Sequence, residues 1–249
     1  MASTVPPSPS RTVTPPPSAA ASPPLLCLTT APATFGAAGG AFARLVSEIR
    51  AQLSGGGGPL ATRTGVAAAM RAFEDDGELS AASYFDSDRA YTRNLVAHED
   101  GLFTLLLLCW TPGKASAIHD HPCANGCFMR VLDGAVVERR YTRCAESNSL
   151  SPAAVSEARA GAVMYIEDCD AVHSVGNADA AVRARTLHLY SPPFSTCAVW
   201  LQSSWPLDKP LRPSICFFSR FGVLCDDDDA SASPLSAPPP AAAAMDACE

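Results

Sequence analysis

The amino-acid sequence predicts a mainly β fold, a small antiparallel sandwich or barrel, with a short helical region ahead of it. Three observations carry that expectation. From Tyr91 onward the chain breaks into short apolar or alternating runs at 102–110, 116–121, 127–132, 135–142, 161–166, 171–175, 181–190, 197–202 and 214–219, separated by Gly, Pro, Asn and Asp. Before them, Phe42, Leu45, Val46, Ile49 and Leu53 recur at the spacing of an amphipathic helix. Finally, no stretch reaches the roughly 18 apolar residues that a membrane helix requires, and the longest apolar run, Leu102 to Trp110, reads as a buried strand.

Residues 1–34 are rich in Pro, Ser, Thr and Ala, and Arg11 is their only charged side chain. They cannot bury enough apolar surface to fold. Two readings stay open, a disordered extension or an organelle transit peptide. The lack of any acid before Glu48 favours the second, and the scarcity of arginine speaks against it. The expected location is the cytoplasm, with import into a plastid or another organelle as the alternative.

One folded domain is expected over residues 35–225. Its first helix should stop at Gly55 to Gly58 and Pro59. A second should start near Thr64, with Val66, Met70 and Phe73 on one side, and the pair should cover an outer face or end of the β structure. After Cys225 come Asp226 to Asp229 and an Ala/Pro/Ser tail, so 226–249 reads as a solvated, disordered end.

A length of 249 residues suits one domain with extended ends. The net charge of -7 argues against nucleic acid or an anionic membrane as partner. Ten cysteines without a C-x-x-C pair suggest neither a zinc ribbon nor a disulfide scaffold, and reduced thiols are expected.

The stretch that carries chemistry is Gly113 to Gly134. His119 and His121 lie one residue apart in a run that reads as strand, and residues i and i+2 of a strand share a face. Only five histidines occur in the chain, and one more repeats this setting: turn Gly161, a short apolar strand, then His173, with Asn177 four residues on as a turn or orienting residue. His119, His121 and His173 are therefore the candidate metal ligands, and three imidazoles admit Fe(II), Zn or Ni. Along 182–190, alternation puts Thr186, His188 and Tyr190 on one face with Val182 and Ala184, and Arg183, Arg185, Leu187 and Leu189 on the other. The first three can form a hydrogen-bond relay ending on the Tyr190 hydroxyl. Trp110 and Phe194 read as core, Cys197 as a small buried hydrophobe, and His98 as a loop residue with no partner in sight.

Written twice, this glycine, strand and histidine pattern resembles the two motifs of the cupin superfamily. Gly113, His119, His121 and Gly134 fit the first motif, and Cys127 stands where many cupins have Glu. Tyr91-Thr-Arg-Asn94, Ile118-His-Asp-His121, Cys127 and Leu187-His-Leu-Tyr-Ser-Pro-Pro-Phe194 with Cys197 are further similar to the thiol dioxygenase branch, specifically the cysteine dioxygenase family, over about residues 35–225.

The resemblance implies a cupin-type, jelly-roll-like antiparallel β-barrel holding non-haem Fe(II) on His119, His121 and His173. It implies Arg93 at the substrate carboxylate, with Tyr91 in the same pocket, and a catalytic Tyr190 backed by His188. Thr186 replaces the family's serine, and a cis Ser191-Pro192 bond is expected. Animal and fungal members join a cysteine at the place of Cys127 to the tyrosine corresponding to Tyr190 by a thioether. Here the gap from His121 to Cys127 is one residue longer than in the animal form, and Cys123 sits in the same loop. Either Cys127 is the partner, since six residues still separate it from Gly134, or the insertion moves it away. The implied reaction is oxidation of L-cysteine by O2 to cysteine sulfinic acid, in a monomer without nucleic-acid or membrane partner. The alternatives are oxidation of 3-mercaptopropionate or another small thiol, and a metal-binding cupin without turnover.

Overall fold

In the computed structural model the described residues are 33–144, 149–167, 171–200 and 210–225; the expected tail and nearly all of the expected N-terminal extension lie outside them. The first apolar stripe folds as α1 (Ala41–Ser54), burying Phe42, Leu45, Val46 and Ile49. The second helix, α2 (Gly58–Ala72), begins six residues earlier than expected from Thr64. Pro59 does not only end the preceding element. It stands in the first turn of α2, where its fixed φ is already helical and its missing N–H has no partner to lose. At the far end of α2, Arg130 donates to the carbonyl oxygens of Met70 (2.7 Å) and Arg71 (2.6 Å), which ties the helix to the sheet below.

The strands form two antiparallel layers. The larger sheet runs β13 (Val223–Leu224), β12 (Ser219–Arg220), β2 (Tyr91–Glu99), β3 (Phe103–Trp110), β10 (Ala184–Tyr190), β5 (Cys127–Asp133) and β8 (Val163–Ile166), with β1 (Ala33–Thr34) also paired to β2. Within it the short β12 alone runs parallel to its neighbour β2. The smaller sheet runs β11 (Val199–Trp200), β4 (Ile118–His119), β9 (Val172–Asn177), β6 (Ala135–Arg143) and β7 (Leu150–Arg159).

The mainly β, antiparallel expectation holds, but the sheets do not close into the expected barrel: among the described residues no strand pairing joins one to the other. The runs 116–121 and 197–202 were expected as full strands, yet only two-residue segments, β4 and β11, pair there among the described residues, too short to stitch the layers together. The run 214–219 likewise contributes only Ser219. Two long strands fall outside the expected runs. β2 coincides with the Tyr-Thr-Arg-Asn stretch, and β7 exposes every residue except Leu150 and Ala158, so no apolar alternation announces it.

Alternation along β3 shows how the layers stack. All eight of its residues are buried. Leu105 and Leu107 face the helices, packing with Phe42, Ile49, Met70 and, from β10, Leu187 and Leu189. Leu106 and Leu108 face the smaller sheet, packing with Met129, Val131, Val136 and Val175. Every large side chain buried in this way stabilises the fold by about 1.5–3 kcal/mol, so both interfaces are substantial. The hairpin between β5 and β6, where the chain changes sheets, turns at Gly134. Its φ of +74° and the 2.8 Å approach of Ala184 to any added Cβ leave no room for a side chain.

Candidate metal centre

His119 and His173 are direct partners across the β4/β9 pairing, so their side chains start on one face of the smaller sheet. His121 lies beyond the end of β4, not on the extended strand expected, but the turn that follows, with Cys123 N–H donating to the His121 carbonyl at 2.6 Å, brings its ring back to the pair. Ring centroids are 4.9 Å apart for His119 and His121, 4.9 Å for His119 and His173, and 4.7 Å for His121 and His173. The ligand atoms of all three lie within 4.8 Å of one another.

Hydrogen bonds select the tautomer of two of these rings. His119 Nδ1–H donates to the Ala117 carbonyl at 3.0 Å, and His173 Nδ1–H donates to Glu138 Oε1 at 2.6 Å. Each then keeps its lone pair on Nε2. Burial, followed by the proximity of His173, holds His119 and His121 well below the usual histidine range, so both are neutral and can ligate. Three imidazoles converging this closely fit a divalent ion, and among the described residues no carboxylate joins them.

Glu138 is buried in β6 and stands behind the ligands. Burial alone would raise its carboxyl, but the bonds to His173 and to Arg140 prevail and hold it below the ordinary carboxylate range. Arg140 Nε reaches Glu138 Oε2 at 2.9 Å, and its Nη2 donates to the Tyr165 carbonyl at 2.6 Å.

Across the cavity, β10 presents the expected row. Trp110 Nε1–H donates to Thr186 Oγ1 at 2.8 Å, Thr186 Oγ1 lies 2.8 Å from His188 Nε2, and His188 Nδ1 lies 3.3 Å from the Tyr190 hydroxyl. Burial, then the nearby His173 and Arg93, pushes His188 down to about 3, and it is neutral. Burial, with Cys127 adding to it, raises Tyr190 well above the usual phenol range, and it keeps its proton.

Cys127 is the direct register partner of Tyr190 on β5, and its thiol lies 4.0 Å from His188 Nδ1. The loop between His121 and Cys127 contains a turn, in which Gly126 N–H donates to the Cys123 carbonyl (3.0 Å). Asn125 is clamped to Ser191 through N–H to carbonyl at 2.8 Å and amide to hydroxyl at 3.0 Å. The Ser191-Pro192 bond is cis.

Arg93 donates to the Tyr91 hydroxyl, and its guanidinium carbon sits 4.8 Å from the Tyr91 ring centre. Both line one cavity with His119, His121, His188 and Tyr190. The cavity is small, with a volume of about 30 Å3.

Residues 37–203 match the family described as cysteine dioxygenase type I. The chain belongs to that family. It is 37% identical over 160 residues to cysteine dioxygenase type 1 of Homo sapiens, covering 64% of this chain and 78% of that protein. The Danio rerio protein of the same name is 39% identical over 121 residues, covering 47% and 59%. Among solved structures, a conserved protein with a double-stranded β-helix domain from Klebsiella pneumoniae matches at 18% identity and a TM-score of 0.38, over 47% of this chain and 84% of that one. This member of the cysteine dioxygenase family is accordingly a dioxygenase.

The structure amends several sequence-based assignments in this family member. Trp110 is core, as expected, but its indole also anchors the relay. Phe194 and Cys197 line the cavity, and Phe194 packs edge-on to Tyr190 at 5.1 Å. His98 has two partners, Thr104 Oγ1 at 2.9 Å and Asp100 Oδ1 at 2.8 Å. Asn177 ends β9, and its side chain orients neighbouring backbone through bonds to the Val182 carbonyl and Asp179 N–H. Glu138 and Arg140 were not foreseen. Their alternation with Val136 on β6 was the available signal, since it aims both at the inner face.

Proposed function

We propose that this enzyme uses iron(II), held by His119, His121 and His173, to oxidise the thiol of L-cysteine with O2 to cysteine sulfinic acid. The observation that carries the reading is one small cavity lined at once by His119 and His121 of the imidazole cluster, the Arg93 guanidinium and the Tyr190 phenol. The stoichiometry balances without an external reductant, because thiol plus O2 equals sulfinic acid. Bound iron(II) would supply the electron chemistry that lets O2 react with a thiol.

The chain's own groups account for the rest. Arg93 presents a fork that matches a carboxylate bidentately and stays charged at any working pH. Tyr91, accepting from Arg93 and stacked beside it, fixes the direction of that fork. Tyr190 acts as a neutral donor at the reacting end of the cavity, and Trp110, Thr186 and His188 hold its hydroxyl in line. Phe194 walls off one side and limits water.

Cys127 is the partner for a thioether to Tyr190. A bond from Sγ to the ring carbon beside the hydroxyl releases the thiol hydrogen and one ring hydrogen, and O2 accepts the two electrons. The direct Cys127–Tyr190 register across β5 and β10 supports that pairing. The reading is completed by a monomer acting in the cytoplasm. In the described residues no helix is long and apolar enough to cross a membrane.

Oxygen uptake by the iron-loaded protein tests the substrate. L-Cysteine should give rapid uptake with sulfinic acid as product, and 3-mercaptopropionate or cysteamine much slower uptake, because each lacks one of the groups that position cysteine. Equal rates with all three thiols would discard the assignment of L-cysteine, and no uptake with any would discard catalysis.

A further inference from the structure

The three candidate ligands are not supported equally. His119 donates its Nδ1 proton to a neutral backbone carbonyl, whereas His173 donates to the carboxylate of Glu138 at the shorter distance of 2.6 Å. That carboxylate is 2% exposed and does not stand alone: Arg140 holds its second oxygen at 2.9 Å, and Arg140 is itself pinned by the Tyr165 carbonyl of β8 at 2.6 Å. The register explains the arrangement. On the β6/β9 pairing, Arg140 is opposite His173 and Glu138 opposite Val175, so Glu138 reaches His173 diagonally from the neighbouring strand while Arg140 holds Glu138.

We infer that Glu138, oriented by Arg140, is a positioning residue that makes His173 a stronger donor than His119 and sets the affinity of the site for its metal. The inference rests on the metal reading proposed above. A carboxylate on the remote N–H of an imidazole fixes the ring's rotation and tautomer, and it pushes electron density toward the ligating nitrogen. It also places one buried negative charge beside an ion that three neutral imidazoles leave uncompensated. Arg140 acts in the opposite sense: it holds the carboxylate still but offsets part of its charge. The two residues therefore make separable contributions, and the smaller sheet tunes the site without placing an acid on the ion.

Co(II) titration in competition with a chelator tests this on full-length protein, reading the dissociation constant and the visible d–d absorption of the bound ion. Melting of each metal-free variant provides the measure of folding. Glu138→Gln keeps an acceptor for His173 but removes the charge, and it should weaken Co(II) binding about 10–100-fold and shift the d–d bands. Arg140→Gln leaves the carboxylate in place with less opposing charge, and it should bind Co(II) as tightly as the parent or tighter. A merely structural pair would instead lose affinity in both variants in proportion to their drop in Tm. That pattern would overturn the inference, as would a Glu138→Gln protein within threefold of the parent with an unshifted spectrum. A parent protein that binds no Co(II) and no Fe(II) would remove the metal reading itself, a result distinct from either.

Discussion

Replacing Thr186 with valine keeps the shape of the side chain and removes a hydroxyl on which two buried groups depend. The hydroxyl accepts from Trp110 Nε1–H at 2.8 Å and bonds His188 Nε2 at 2.8 Å, and all three residues are at most 4% exposed. Leaving two buried polar groups without partners costs about 1–3 kcal/mol each, so Thr186→Val should destabilise the fold by about 2–6 kcal/mol. The loss should also reach the reaction. His188 would be held by one bond fewer, and a loss of about 1.4 kcal/mol in orienting Tyr190 corresponds to about a tenfold fall in kcat. Thr186→Ser separates the effects, since it keeps the hydroxyl and gives up one buried methyl, about 1 kcal/mol, with kcat near the parent. Urea unfolding of the metal-free proteins and oxygen uptake of the iron-loaded ones give both quantities. A valine variant that matched the serine variant in stability and in kcat would refute the relay.

Arg93→Ala should raise KM for L-cysteine by about 10–100-fold, the worth of a charge-assisted pair, with iron content by elemental analysis unchanged; an unchanged KM would remove Arg93 from the carboxylate. Peptide mass spectrometry of protein that has turned over should find the Cys127 and Tyr190 peptides joined and two hydrogens lighter than their sum, and Tyr190→Phe should abolish the product. Finding Cys127 fully alkylatable in active enzyme would end that assignment. The metal-free protein should lose stability as pH falls from about 6.5 toward 3. His188 is depressed to about 3 in the folded state, so the unfolded chain binds the extra proton across that window, and stability present above pH 6.5 drains away at up to about 1.4 kcal/mol per pH unit from this group alone. His188→Gln should flatten the urea midpoint against pH over the same window; an unchanged slope would show that His188 does not contribute.

The chemistry was more legible in the sequence than the architecture around it. His119, His121 and His173 could be picked out because a glycine, a short strand and a histidine recur in the sequence, although His121 joins the cluster through a turn and not along β4, and strand alternation separated His188 and Tyr190 from Leu187 and Leu189. β7 stayed hidden because an exposed edge strand needs no apolar period, only a partner such as β6 to accept its hydrogen bonds. The start of α2 was misplaced since a proline reads as a stop to the helix before it and as a start to the one after. Glu138 escaped because the burial of a charge is decided by what comes to meet it, here an arginine two residues on and a histidine 35 residues away. His98 was passed over for the same reason, its partners being set by the β2–β3 turn and not by its immediate neighbours. Closure of the sheets was overestimated because run length says how apolar a stretch is and not how many of its amides find a ladder.

Strand β10 is greasy on one side and reactive on the other, and this bears on how the protein can be handled. Leu187 and Leu189 are wholly covered, and the cover comes from α1, α2 and the strands they share. A shortened version trimmed to the β sheets would lay bare the back of the very strand that carries His188 and Tyr190, together with Leu105 and Leu107 beside it. Such a fragment should clump when expressed, however intact its histidines, and the helices must travel with the sheets in any attempt to transplant the pocket.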